Sequence, residues 1–251
     1  MRITILQTDI QWGDREANAR DAERLMREAE GSDMYVLPEM WSTGFATDPD
    51  GMAEHDGLSL AWMRRMAEKT GAAVCGSVAV ATGEDGKETF RNRFYFAKPD
   101  GSVECYDKRH LFSYGGEQHH YTAGEQRTVV TYGGMRWLLL VCYDLRFPVW
   151  SRYRGDYDGI IYVANWPVPR IGVWDLLLKA RAIENQAVVV GVNRVGSDPY
   201  CHYSGHSAVI DAKGRVLAAD DSGRAMAITA EVDIAELAAF RRKFRVLDDR
   251  D

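Results

Sequence analysis

The chain has 251 residues, 46% of them hydrophobic and 27% charged, and a formal net charge of −6. That is enough apolar material for a large core, and the sign of the charge, with no Lys/Arg block, excludes an electrostatic nucleic-acid binder. No apolar run approaches the roughly 18 residues that a membrane helix needs.

The first residues, MRITILQTDI, enter a strand pattern at once, with neither the basic stretch nor the long apolar stretch of a secretory signal. The cysteines at 75, 105, 142 and 201 form no CxxC pair. They are expected to be free thiols in a reducing cytoplasm.

Ile3 to Thr8 alternates and reads as a strand, and Glu16 to Glu30 carries an apolar stripe that predicts an amphipathic helix closed by Gly31. Met34 to Leu37 is a short buried strand stopped by Pro38, with Glu39 next; WSTGFATDPDG reads as loop. A helix over Leu58 to Lys69, a strand over Ala73 to Val80 and a turn at GEDGKE follow. Arg93 to Ala97 and Ser102 to Tyr106 pair as a hairpin across KPDG, the second arm running into Asp107, Lys108 and Arg109. Ser113 to Glu125 is a polar loop.

Arg127 to Tyr132 and Arg136 to Val141 form another hairpin, Pro148 to Tyr153 starts a helix, and Gly159 to Ala164 is a strand ending in Asn165, Trp166 and Pro167. Val173 to Asn185 (helix), Ala187 to Asn193 (strand), a hairpin of Ser207 to Ile210 with Val216 to Ala219, a strand over Ala225 to Val232 and a helix over Ile234 to Arg241 complete the pattern. Strands and helices alternate throughout, which predicts one α/β domain over residues 1–251; the hairpins make its sheets mixed. Residues 243–251 read as a C-terminal arm.

Glu39, Lys108 and Cys142 share one property: each ends a run predicted to be a strand. In α/β sheets ligands bind beyond the carboxyl ends of strands, so the three can meet in one pocket. Each has an ordinary reading too: a turn glutamate, a surface Asp-Lys pair, a small buried thiol. Together they make chemical sense. A thiol near pKa 8.5 is only a few per cent thiolate at neutral pH and needs a base or a nearby cation. A carboxylate can take its proton, and an ammonium can hold an oxyanion. Metal and serine chemistry find less support. His119-His120 and Cys201-His202 lack companions at ligand spacing, no GxSxG elbow is present, and no GxxxxGK phosphate loop occurs.

The blocks LPEMWSTGF, YDKRHLF and LLLVCYDLRFP resemble, in order, the three catalytic blocks of the nitrilase superfamily of carbon–nitrogen hydrolases. Similarity continues through ANWP, DLLLKARAIENQ and GHSAVIDAKGRVLA. The resemblance implies a four-layer α-β-β-α sandwich with two stacked mixed sheets. It also implies hydrolysis of nonpeptide C–N bonds through a covalent thioester, without metal or organic cofactor. Carried over by motif, Glu39 is the general base, Lys108 the oxyanion stabiliser and Cys142 the nucleophile, with the Tyr143 backbone N–H completing the oxyanion hole. Glu117, before Ala123-Gly124, matches a second glutamate of the family that holds the lysine.

CYDLRFP with KRHLF looks most like the ω-amidase branch, which deamidates monoamides such as 2-oxoglutaramate and 2-oxosuccinamate. A substrate carboxylate then needs a cation at the far end of the pocket. Arg170 is the candidate, while Arg146 is expected to brace its loop through Asp144. Trp41, Phe45, Trp166 and Tyr114 are candidate walls. A nitrile or N-carbamoyl substrate would use the same three groups, and a noncatalytic scaffold is the reading from another class. The resemblance further implies a homodimer or larger homo-oligomer, to which the arm from Lys243 can reach, with a small amide as the only other partner.

Overall fold

The computed structural model describes residues 1–84 and 87–250. The GEDGKE turn expected over 83–88 includes residues 85 and 86, which lie outside the described residues. Fourteen described strands and five α-helices follow one another along the chain. The first sheet holds β1 (Arg2–Gln7), β2 (Met34–Val36), β3 (Ala73–Glu84), β4 (Lys87–Ala97), β5 (Val103–Asp107) and β14 (Met226–Glu231), in the order β14-β1-β2-β3-β4-β5. The second holds β6 (Val129–Tyr132), β7 (Met135–Val141), β8 (Gly159–Ala164), β9 (Val188–Asn193), β12 (Ser207–Ile210) and β13 (Val216–Asp220), in the order β13-β12-β9-β8-β7-β6. β10 (Val195–Ser197) and β11 (His202–Ser204) make a separate hairpin.

Side-chain alternation builds the layers. Ile3, Ile5, Met34, Val36, Phe94 and Phe96 point inward, into one apolar cluster with Trp137 to Val141 of the second sheet. Leu6, Tyr35, Leu37 and Val74 point to the other side, against Leu25 and Met26 of α1 (Arg15–Glu28) and Met63 and Met66 of α2 (Leu58–Thr70). On the far side of the second sheet Trp174, Leu178 and Ala182 of α4 (Ile171–Glu184) are buried. The result is the stacked mixed-sheet sandwich that the resemblance implies.

Local chemistry sets the helix ends. Asp14 accepts a hydrogen bond from the Ala17 N–H to cap α1, and Asp233 does the same for Glu236 in α5 (Ile234–Lys243). Gly71 ends α2 in the left-handed conformation. The short α3 (Pro148–Ser151) opens with a proline. The tail folds back on its own chain: Gln186 donates to the Phe244 carbonyl, Leu247 is buried, and Arg250 lies over the Tyr153 ring.

Two boundaries differ from expectation. β3 and β4 are much longer than the runs Ala73 to Val80 and Arg93 to Ala97, because outer residues pair through to Glu84↔Lys87 despite weak apolar alternation. The β10–β11 hairpin escapes a sequence reading because three-residue strands are too short to show a period.

β2, β3 and β5 run in one direction in the first sheet, and β7, β8 and β9 in one direction in the second. Their carboxyl ends meet, since Asn165, just past β8, donates its backbone N–H to Glu39, just past β2.

Candidate active site

Glu39 is completely buried. Pro38 ends the β2 ladder, and Met40 turns the chain at once with φ +43°. The carboxylate Oε1 accepts from Lys108 Nζ at 2.9 Å and Asn92 Nδ2 at 2.8 Å, and Oε2 accepts from the Asn165 N–H at 2.9 Å.

Lys108 follows β5, and its ammonium is fully enclosed between two glutamates. Nζ lies 2.8 Å and 3.2 Å from the two oxygens of Glu117, besides its bond to Glu39. Burial acts against the charged lysine, but the charges of Glu117 and Glu39 outweigh it and raise its pKa. For Glu117 burial dominates over Lys108 and raises the carboxyl pKa. The Phe112 N–H also donates to Glu117, at 2.5 Å. Gly124 lets this segment return against β5: its N–H donates to the Lys108 carbonyl, and a Cβ there would sit 2.1 Å from the Asp107 oxygen. A larger residue would push Lys108 off its glutamates.

Cys142 stands at the end of β7 with φ +44°, a left-handed conformation that costs a non-glycine residue about 1–3 kcal/mol. Asp144 holds the turn. Its Oδ2 accepts from the Val141 N–H at 3.0 Å and the Tyr106 hydroxyl at 2.8 Å; its Oδ1 accepts from the His110 N–H at 2.9 Å and lies 2.7 Å from His110 Nδ1. The thiol opens onto a cavity yet is enclosed elsewhere. Burial pushes its pKa well up, the Glu39 charge and hydrogen bond add to that, and the Lys108 charge opposes it. The structure thus brings a thiol, a carboxylate and an ammonium to one cavity, the three chemical types that covalent thiol catalysis uses.

The cavity, about 410 Å³, is lined by Glu39, Lys108, Cys142 and Asn165 at its floor. Of the expected walls, Phe45, Tyr114 and Trp166 do line it, as do Tyr143, expected at the oxyanion hole, and Arg170, expected to meet a carboxylate. Trp41 does not. It is 2% exposed and packs at 4.6 Å against Trp62 of α2, because the turn after Glu39 sends it to the helix-facing side of the first sheet. Arg146 also departs from expectation. Asp144 is occupied by Val141, Tyr106 and His110, so Arg146 turns into the cavity and lies 5.0 Å over the Trp166 ring. Arg170 lies 5.3 Å over Phe112. Neither arginine has a carboxylate partner among the described residues.

Sequence reasoning missed Asn92, Asn165 and the cavity residues Asp198, Tyr200 and Tyr203 of the β10–β11 hairpin. Asn92 did leave a signal: at period two it shares a strand face with Phe94 and Phe96, a polar residue on a core-facing row. Asn165 left one too, as the polar end of a six-residue apolar strand. Nothing in DPYC marks a cavity rim.

The model of the carbon-nitrogen hydrolase family matches residues 2–242. The omega-amidase YafV of Escherichia coli K12 is 47% identical over 254 residues, covering all of this chain and 97% of that protein. The 2-oxoglutaramate amidase of Bacillus subtilis is 38% identical, with 98% and 96% covered. Among solved structures, a CN-hydrolase superfamily protein of Xanthomonas campestris, with an arsenic adduct in its active site, superimposes with a TM-score of 0.94 at 39% identity, covering all of this chain and 97% of that one.

Proposed function

Because this chain belongs to the carbon-nitrogen hydrolase family, we propose that it is an ω-amidase that removes ammonia from a small dicarboxylate monoamide. The substrates in view are of the 2-oxoglutaramate and 2-oxosuccinamate kind. The observation that carries this reading is the composition of one cavity. A thiol, a carboxylate and an ammonium meet at its floor, and two arginines without carboxylate partners among the described residues stand in its wall.

The contacts among Glu39, Lys108 and Glu117 support the cycle that the family resemblance implies. Glu39 takes the Cys142 proton, and the sulfur attacks the amide carbon. The oxygen becomes an oxyanion held by Lys108 Nζ and the Tyr143 N–H, stabilisation of a kind worth about 2.7–4 kcal/mol per donor. As the C–N bond breaks, Glu39 returns the proton to nitrogen and ammonia leaves an acyl-thioester. Water then gives a proton to Glu39 and attacks the thioester carbon, and the same proton restores the thiol as the acid departs. Glu117 keeps Lys108 in place through both halves. It is a positioning residue, with no contact to the sulfur required.

Arg146 and Arg170 read the substrate's free carboxylate, since a planar guanidinium stacked on an aromatic ring is held ready for a bidentate bond. Trp166 and Tyr143 add aromatic wall to the same cavity. A cytoplasmic location belongs to the same reading, as all four cysteines are unpaired thiols. So does self-association through α3 and α4, where Val149, Leu176 and Ile183 are exposed; light scattering giving a monomer would remove it.

The test of the activity is ammonia release from 2-oxoglutaramate, 2-oxosuccinamate, glutamine, an aliphatic nitrile and an N-carbamoyl amino acid. Release from the first two that is lost in Cys142→Ala supports the ω-amidase. Silence on those with turnover of the nitrile or the carbamoyl compound moves the chain to another branch of the same chemistry.

A further inference from the structure

We propose that Asn92 is a positioning residue for both glutamates, selecting which oxygen of Glu39 faces the thiol. It sits in β4 and is 1% exposed. Its Nδ2 reaches Glu39 Oε1 at 2.8 Å and Glu117 Oε1 at 3.2 Å, which uses both amide hydrogens. Its backbone carbonyl accepts the Lys108 backbone N–H at 3.0 Å. One residue therefore bonds both carboxylates and the backbone of the lysine that lies between them.

The orientation of the amide is dictated by its neighbours. Turned over, its oxygen would face two carboxylate oxygens, so the nitrogen must point at them. With Asn92 and Lys108 both on Oε1, that oxygen is the poorer base. Oε2, whose one bond is from the Asn165 N–H, is the oxygen left to take the sulfur's proton. Asn92 also supplies what the ion balance lacks. Two buried carboxylates share one ammonium, and the amide gives each of them one further hydrogen bond without adding a second cation.

This role rests on the proposed mechanism, so its test must stand apart from amide turnover. The titratable groups facing Glu39 are Lys108, Cys142, Glu117 and, from its own turn, Tyr121. Asn92→Leu keeps the number and branching of the side-chain heavy atoms and removes both donors. One glutamate should then take up a proton at higher pH, removing the base.

The measurement is the rate of Cys142 alkylation by iodoacetamide against pH, with kcat/KM for 2-oxoglutaramate alongside. The acid limb of the alkylation profile should move up by about one unit, the size expected for losing one charge-assisted hydrogen bond. In kcat/KM the same shift should appear, mostly through kcat. An alkylation limb that stays where it is in the folded variant, with only a uniform loss of rate, makes Asn92 plain scaffold and overturns the proposal. Should Asn92→Leu not fold, Asn92→Ser, which keeps one donor, reads the same limb with a smaller shift, and an unmoved limb there overturns it as well. A wild-type enzyme silent on 2-oxoglutaramate would sink the substrate assignment and leave the alkylation result to decide the role of Asn92.

Discussion

Tyr106 donates its hydroxyl to Asp144 across 2.8 Å, joining the strand that leads to Lys108 with the turn that begins at Cys142. The same hydroxyl accepts from the Arg109 N–H and from Trp150 Nε1, so both strand ends and α3 hang on one oxygen atom. Tyr106→Phe should cost about 1–3 kcal/mol of stability, because two buried donors and one acceptor lose their partner. It should lower kcat more than KM, since the spacing of nucleophile and lysine changes while the arginines stay put. Denaturant unfolding and steady-state kinetics check both parts; a fall confined to KM would contradict the account.

Lys108→Met leaves Glu39 and Glu117 buried together with no cation between them. Breaking a buried pair in this way costs about 3–5 kcal/mol at neutral pH. The sign of its pH dependence is fixed. With the ammonium gone, a carboxylate's folded pKa rises above the unfolded value near 4.3, so stability is full below that value and is lost as pH rises through the folded one. The variant should thus recover stability on mild acidification. Unfolding curves at several pH values decide it, and a deficit that does not change with pH would be against it.

Arg146→Ala and Arg170→Ala should each raise KM for 2-oxoglutaramate by about 10- to 100-fold, the worth of one hydrogen bond between charged groups. A short aliphatic amide without a carboxylate should be turned over as poorly by the variants as by the parent. If KM rises equally for the uncharged amide, the arginines shape the wall and do not read charge.

Trp41→Phe tests the placement of that ring in the core. It should lower stability by about 1–2 kcal/mol through lost packing on Trp62 and leave KM unchanged. A raised KM with unaltered stability would put Trp41 back in the substrate pocket.

Alkaline pH should unfold the protein through groups whose burial raises their pKa. Tyr106, Tyr157 and Tyr162 are held up by burial, and Lys108 by Glu117 and Glu39 in excess of its burial penalty. Each keeps in the fold a proton that the unfolded chain gives up near pH 10, so their stabilisation is full below that pH and is lost above it. Tyrosinate absorbance and far-UV circular dichroism should then change together. Complete tyrosine ionisation in a still-folded protein would refute the coupling.

Glu39 and Cys142 were legible as candidates because each sits where a strong pattern stops. Leu138 to Val141 cannot continue as a buried strand through Cys142-Tyr143-Asp144, and Met34 to Leu37 cannot pass Pro38. The layering of the two sheets was legible only through the family resemblance, since of the first sheet's strands only Ile3 to Thr8 was read as alternating. The cavity wall was less legible, for a physical reason: which way Trp41 or Arg146 points depends on the turn that follows a strand. Met40 and Cys142 take left-handed conformations there that their own side chains do not favour. Tertiary contacts impose those angles, and a residue-by-residue reading has no access to them. Asn92 was hidden differently, inside the half of β4 where charged neighbours Arg91 and Arg93 mask the inward row.

Glu39 and Lys108 belong to the first sheet and Cys142 to the second, and apolar packing with cross-layer bonds such as Tyr106–Asp144 and Asn165–Glu39 keeps the layers in register. Strand pairing lies within each sheet, so a slip of an ångström between the layers would break none of it and still part the carboxylate from the thiol. Catalysis in such a molecule is a gauge of alignment between two otherwise intact halves. Mild denaturant, pressure or a cavity cut into the inter-sheet core should silence it while both halves still keep their strands.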